Sequence, residues 1–142
     1  MSKSFFPVLL LALGSIFVAL VHAEDAKPAD NGERVFELRT YTTPAGKLDA
    51  LNARFRDHTC KLFIKHGMTL IGFWTPSTGP TAENTLIYLL AFPNKEAQKK
   101  SWEDFRADPD WIKAKAESEA NGKLTDKVES LLLKPTDYSP LK

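Results

Sequence analysis

The chain has 142 residues, of which 19 are basic and 18 acidic, and 43% are hydrophobic. A chain of this length is sufficient for one domain with its own core, and a formal charge of +1 gives no overall attraction to nucleic acid or anionic lipid. No run of lysine or arginine exceeds two residues, so a basic patch would have to be assembled by folding. The composition therefore predicts one globular domain and argues against nucleic acid as a partner.

The first 23 residues have the pattern of a secretory signal peptide. Lys3 supplies the positive charge, an apolar run from Phe5 to Val21 follows, and VHA at positions 21–23 forms the cleavage site. The alternative is an uncleaved membrane anchor, but an apolar run of 17 residues that contains Pro7 and Gly14 is at the short limit for a spanning helix. We therefore expect cleavage at this site, no stable membrane span afterwards, and a secreted or periplasmic protein.

The mature chain is expected to hold no internal disulfide bond, because Cys60 is the only cysteine. Without Lys3, 18 basic and 18 acidic residues remain, so the mature chain is neutral. Its first ten residues, EDAKPADNGE at 24–33, contain too few apolar side chains to order themselves and are predicted to form a flexible leader. The predicted folded domain spans residues 34–142.

Hydrophobic periodicity in this domain predicts elements in the order β-α-β-β-α-β. RVFELRTYT at 34–42 alternates as a strand does, and a helix follows from about Pro44 to His66, with Thr43 as its cap and Gly67 as its stop. MTLIGFWTP at 68–76 and TLIYLLAF at 85–92 are the next strands. A second helical region begins at Asn94 and restarts at Asp108, and VESLLLKP at 128–135 is the last strand. This order predicts a ferredoxin-like α+β fold, in which a four-stranded antiparallel sheet carries helices on one face.

The third predicted strand is apolar on both sides, although the second side of such a sheet is usually polar. At about 25 cal/mol per Å² of apolar area, an uncovered second side would be unfavourable by several kcal/mol. We therefore expect a second copy to cover it, which gives a homodimeric α+β barrel with Leu89 at the interface. Glu37 and Arg39 share the second side of the first strand, so they are expected to form an ion pair at the same interface.

Four segments resemble the NIPSNAP family, in the order in which the family has them: VFELRTYTTPAGKLDAL, RFRDHTCKLFIKHGM, GFW and SWEDFRADPDWIKAKAESEANG. The resemblance covers residues 35 to about 135. It implies the dimeric α+β barrel fold, and it brings no agreed catalytic residues to this chain. Animal members are linked to mitochondria and vesicle traffic, and a chain with a signal peptide departs from that setting.

His58 is the candidate catalytic residue. It lies three residues after Phe55 and four before Leu62, so the predicted helix directs it towards the sheet. There it would act as a general base or haem ligand, and the alternative is a core histidine bonded to a carbonyl or tyrosine. His66 lies about 12 Å farther along the helix, so one metal ion cannot bind both histidines, and no metal site is predicted.

Aromatic residues supply the candidate ligand pocket. Trp74, at the end of a strand, and Trp102, on the inner side of a helix, would hold a flat ring beside His58, while Tyr41 or Arg39 orients a polar group. The alternative is ordinary core packing. One functional hypothesis is a homodimeric binding module for a small apolar or aromatic ligand or a protein partner. The other is a cofactor-free or haem-linked oxidoreductase, by analogy with small monooxygenases of this fold. Both hypotheses stay open at this point, and no cofactor is identified.

Overall fold

The computed structural model describes residues 34–142, and the predicted signal peptide and leader lie outside this range. The elements are β1 (Val35–Thr42), α1 (Leu48–Arg54), a π-helical turn (Phe55–Thr59), α2 (Cys60–Lys65), β2 (Thr69–Trp74), β3 (Thr85–Phe92), α3 (Lys95–Ala107), α4 (Pro109–Ser118) and β4 (Lys127–Leu133). All strand pairs are antiparallel, and the sheet order is β2-β3-β1-β4. This is the ferredoxin-like arrangement, so the predicted fold is confirmed.

The register of the strands sorts the sheet into two faces. On the helix-covered face, Arg39 of β1 lies opposite Tyr88 of β3, and the fully buried Tyr88 ring contacts Phe55 and Phe63 from the first helix. The other side, which we call the open face, carries no helix. Its apolar side chains come from all four strands and include Phe36, Leu38, Trp74, Ile87, Leu89 and Leu131.

The first helix begins four residues later than predicted. Pro44 and Lys47 close a turn through a 3.1 Å backbone hydrogen bond, and Gly46 within it has a φ of 72°. This left-handed conformation suits glycine and interrupts a helix. Thr43 therefore does not cap the helix, and its buried hydroxyl has no hydrogen-bond partner among the described residues. The predicted stop is confirmed, because Gly67 has a φ of 77° and Met68 N–H donates to Phe63 O.

The π-helical turn decides which side chains of the first helix face the sheet. A π turn takes more residues per turn than an α-helix, so the side chain three positions after Phe55 stops short of the inner surface. Thr59 takes that inner position and is 1% exposed, whereas His58 is exposed to solvent. The prediction that His58 faces the sheet is therefore wrong.

A β-bulge in β2 has a similar effect on Trp74. Leu70 pairs with Leu90 on the helix-covered face, but the register shifts before Gly72, which pairs with Leu89 on the open face. Since side chains alternate between the faces, the extra residue moves Trp74 from the helix-covered face to the open face.

The second helical region has the predicted caps. Asn94 Oδ1 accepts a 2.8 Å hydrogen bond from Ala97 N–H, and Asp108 Oδ1 accepts one of 2.8 Å from Asp110 N–H. Helix α3 lies against the sheet, whereas α4 packs on α1 and the π turn. Within residues 34–142, no helix is both long and apolar enough to span a bilayer.

Candidate functional site

A buried polar cluster lies where β1 passes beneath α3. Glu37 is 2% exposed, and its Oε2 accepts hydrogen bonds from Trp102 Nε1 at 2.6 Å and Gln98 Nε2 at 2.7 Å. Its Oε1 accepts a 2.6 Å hydrogen bond from Ser130 Oγ and lies 3.4 Å from Nη1 of Arg39. The structure therefore has the predicted ion pair. The predicted location is wrong, because both residues lie on the helix-covered face and not on the open face.

Arg39 is held between the carboxylate and two aromatic rings. The carbon of its guanidinium lies 4.2 Å from the centroid of Trp102 and 5.7 Å from that of Tyr41. These contacts are favourable because the face of an aromatic ring attracts a cation. The Nε atom of Arg39 is buried and has no hydrogen-bond partner in the described part of the chain. A buried N–H donor is therefore unpaired at the centre of the cluster.

Two tyrosines extend this cluster along the sheet. The hydroxyl of Tyr88 donates a 3.0 Å hydrogen bond to the hydroxyl of Tyr41, and the two rings meet edge to face. Burial raises the pKa of Tyr88 well above its usual value, and the nearby Tyr41 raises it further. Tyr88 therefore stays protonated at neutral pH and acts as a hydrogen-bond donor.

Beside this cluster, the β4 edge of the helix-covered face is exposed to solvent. Val128 lies opposite Tyr41, and Leu132 lies opposite Glu37, yet each of the two β4 side chains is 43% exposed. We call this strip the β4 trough and define it by Arg39, Tyr41, Val128 and Leu132, with the buried Trp102 packed against Arg39. It combines apolar side chains and an aromatic ring with two groups that can donate hydrogen bonds.

Comparison with known proteins now identifies the family. The family model NIPSNAP matches residues 36–140, which is nearly all of the folded domain. The chain belongs to the NIPSNAP family. A comparison with curated proteins finds no sequence match. The predicted resemblance is thus confirmed for the domain as a whole.

Several solved structures share this fold. A NIPSNAP family protein with unknown function from Agrobacterium tumefaciens has a TM-score of 0.68 at 23% identity, covering 79% of this chain and 96% of its own. An uncharacterized NIPSNAP-like domain protein from Burkholderia xenovorans has a TM-score of 0.67 at 18% identity, covering 76% and 90%. SnoaB, a cofactor-independent oxygenase from Streptomyces nogalater, has a TM-score of 0.52 at 13% identity, covering 76% and 98%. At these identities the likeness shows the shared fold, that of the dimeric α+β barrels.

The NIPSNAP domain brings together two of the four predicted pocket residues. Arg39 contacts the rings of both Tyr41 and Trp102, and Tyr41 borders the β4 trough, whereas Trp102 is buried behind Arg39. Trp74 does not join them, because it lies on the open face and is 52% exposed. Its ring lies over Gly72, where an added Cβ would come within 2.5 Å of the indole. Trp74 is therefore not a wall of the pocket between helices and sheet.

His58 lies neither in the β4 trough nor on the open face. It lines a shallow groove of about 320 Å³ between the π turn and α4. Most of the other lining side chains are charged, namely Asp57, Lys61, Asp110, Lys113 and Glu117. An apolar haem macrocycle does not suit such walls, so the groove does not fit the haem-ligand role considered for His58. Within residues 34–142, no group of three His, Cys, Asp or Glu side chains is placed to hold a metal ion.

A charged cluster that the sequence did not predict joins the end of α2 to the start of α4. Asp108 Oδ2 lies 2.8 Å from Lys65 Nζ and 2.6 Å from His66 Nε2. Hydrogen bonds from Lys65 and then His66 lower the pKa of Asp108 far below its usual value. Asp108 was predictable as a cap, but no local pattern indicates that its second oxygen meets Lys65 and His66, the latter 42 positions away. Cys60 packs against the core, and burial raises the pKa of its thiol, which favours a packing role.

A second cavity of about 290 Å³ lies on the open face beside the C-terminal segment. Its walls are mainly apolar and include Phe36, Leu89, Leu133, Pro135 and Leu141. The end of the segment is held by a 2.9 Å hydrogen bond from Arg34 Nη1 to Lys142 O. This cavity shares Leu89 with the predicted dimer interface and has no contact with the β4 trough.

Proposed function

We propose that this protein is an exported, homodimeric NIPSNAP domain that binds a small aromatic ligand in the β4 trough. The observation that carries the proposal is the exposure of Val128 and Leu132 beside Tyr41 and Trp102. Apolar side chains that lie next to a few convergent polar groups are the usual composition of a small-molecule site. The trough also contains residues from the VFELRTYT segment, which is among those that resemble the family.

The homodimer is supported by the open face. Trp74 and Leu131, at opposite edges of the sheet, are 52% and 57% exposed, and Leu38, Ile87 and Leu89 lie between them. An apolar surface across a whole sheet is typical of an interface, and two such sheets pack about 10 Å apart. A second copy of the chain would cover this surface.

Export rests on the signal-peptide pattern of residues 1–23. The protein should therefore be recovered from the periplasm or the medium of its host with Glu24 as its first residue. N-terminal mass spectrometry of the native protein tests this. A cytoplasmic protein that begins at Met1 would contradict export without affecting the ligand site.

Two neighbouring residues of β4 provide a sharp test of the ligand site. Leu132 lines the trough, whereas Leu131 points to the open face. Calorimetric titration with 2-naphthamide and 2-naphthoate should show binding of at least one of these flat bicyclic probes. Leu132→Asn should weaken that binding at least about ten-fold, because a polar amide then replaces an apolar side chain that would contact the ligand. Leu131→Asn is the matched control and should retain the affinity. Equal affinity in Leu132→Asn and the unmodified protein would contradict the proposal.

The second candidate function is a cofactor-independent oxygenase. The fold likeness to SnoaB favours it, and the β4 trough provides a site for a flat substrate. His58 cannot serve as the base there because it lines a separate groove. If a trough residue assists the reaction, Tyr41 is the candidate, since its hydroxyl is adjacent to the opening. Dioxygen consumption with polycyclic hydroquinones tests this. Uptake above the buffer rate that is lost in Tyr41→Phe would support the oxygenase, and uptake at the buffer rate would exclude it for these substrates.

A further inference from the structure

The guanidinium of Arg39 has an N–H group without a hydrogen-bond partner among the described residues. A guanidinium has five N–H donors in a planar fork. Nη1 is directed at Glu37, while Nε is buried and has no partner among residues 34–142. An unpaired buried donor is unfavourable, and in a native structure it commonly marks a bound water, ion or ligand group.

Glu37 does not fully occupy Arg39. Three neutral donors, from Gln98, Trp102 and Ser130, already satisfy its two oxygens at 2.6–2.7 Å. The contact between Glu37 and Arg39 is longer, at 3.4 Å, and involves only one of the guanidinium nitrogens. Because the negative charge of Glu37 is shared among several donors, Arg39 can pair with a second acceptor without leaving Glu37 unsatisfied.

Tyr41 supplies a second donor beside Arg39. Its hydroxyl oxygen accepts a hydrogen bond from the hydroxyl of Tyr88, so its own O–H can donate to another acceptor. The guanidinium carbon of Arg39 lies 5.7 Å from the Tyr41 ring, which places the two groups side by side on the same face of β1. Trp102 stacks on Arg39 at 4.2 Å and fixes the plane of the guanidinium.

We infer that the ligand of the β4 trough is an aromatic carboxylate, whose anionic group is bound by Arg39 and Tyr41 and whose ring lies against Val128 and Leu132. A carboxylate is planar and matches the spacing of two guanidinium N–H groups. The inference rests on the proposed function, because it specifies the chemistry of the same site.

The test compares two probes of equal shape, 2-naphthoate and the neutral 2-naphthamide, by calorimetry at pH 7. The unmodified protein should bind the carboxylate at least about ten-fold more tightly than the amide, as expected for a hydrogen bond to a charged group. Arg39→Lys keeps the positive charge but lacks the planar fork, and it should remove most of this preference. Tyr41→Phe should reduce the preference and tests the same site in case Arg39→Lys does not fold. Arg56→Lys, at an exposed arginine of the π turn, is the control and should behave as the unmodified protein.

The possible outcomes separate the inference from the proposed function. Equal affinity for both probes, with binding still sensitive to Leu132→Asn, would overturn the carboxylate inference and leave the trough as the ligand site. A preference for the carboxylate that survives in both Arg39→Lys and Tyr41→Phe would also overturn it, since other groups would then hold the anion. Binding of neither probe would overturn both.

Discussion

The indole nitrogen of Trp102 donates a 2.6 Å hydrogen bond to Glu37, and this bond connects α3 to β1 across 65 residues of sequence. The bond serves both partners, because each would otherwise have an unpaired polar atom in the interior. Glu37 thereby organises the site without entering the trough. It positions Trp102, and through its ion pair it positions Arg39.

Replacing Glu37 should therefore destabilise the domain strongly. Glu37→Ala leaves the buried donors of Trp102 and Gln98, as well as the charge of Arg39, without their acceptor. We expect the free energy of unfolding to fall by about 3–5 kcal/mol, the usual result of breaking a buried ion pair from one side. Urea unfolding measures it. Glu103→Ala, at a largely exposed glutamate of α3, is the control and should stay within about 0.5 kcal/mol. Equal effects of the two variants would mean that Glu37 is hydrated.

The π turn predicts opposite results for two adjacent residues. Thr59 is buried, and its hydroxyl donates a 3.2 Å hydrogen bond to Arg54 O, five residues earlier. Thr59→Val removes this bond and leaves a buried carbonyl with one partner fewer, so the free energy of unfolding should fall by about 1 kcal/mol. His58→Ala should change it by no more than about 0.5 kcal/mol, because the side chain is exposed. Thermal or urea unfolding of both variants checks the pair. A larger loss in His58→Ala would show that the helix is continuous and that His58 is buried.

We expect the protein to form dimers through the apolar open face, and a single charged substitution on that face should weaken the dimer. Leu89 lies on β3 near the middle of that face, so Leu89→Asp would place an unpaired carboxylate in the interface of each subunit. We expect the dissociation constant of the dimer to rise at least about 100-fold, as measured by sedimentation velocity over a range of concentrations. Ile112→Asp is the control, because Ile112 is 56% exposed on α4, away from the sheet, and this variant should stay dimeric. An unmodified protein that is monomeric at all concentrations would refute the interface.

The lowered pKa of Asp108 predicts how the stability of the protein depends on pH. Its folded pKa lies below the unfolded value, so its ionised form contributes stability at neutral pH, and this contribution is lost as the pH falls below about 4. Asp108→Asn should lower the melting temperature at pH 7 and reduce the further decrease between pH 4 and pH 2. Asp57→Asn, at an exposed carboxylate of the π turn, should retain the acid profile of the unmodified protein. An Asp108→Asn protein with an unchanged melting temperature at pH 7 would contradict the role of the contacts with Lys65 and His66.

The sequence by itself determined the order of the elements and most of their ends. These features depend on neighbouring residues, as when Gly67 ends a helix with a positive φ or when Asn94 and Asp108 cap helices with their side chains. The two-sided apolar strand at 85–92 likewise predicted that the second side of the sheet would carry apolar side chains, as the open face does.

Only the tertiary structure decided which side of each element is buried. Alternation sorted Glu37 and Arg39 to one side of β1, but it did not show that the helices cover that side. One extra residue at the π turn moved His58 outward, and one at the bulge of β2 moved Trp74 to the open face. Such insertions depend on how well the remaining side chains pack, as with Thr59 beneath the helix and the Trp74 ring over Gly72. Because helix and strand periods assign faces by counting residues, a single insertion changes the face of the side chains next to it, and packing between distant segments determines where it occurs.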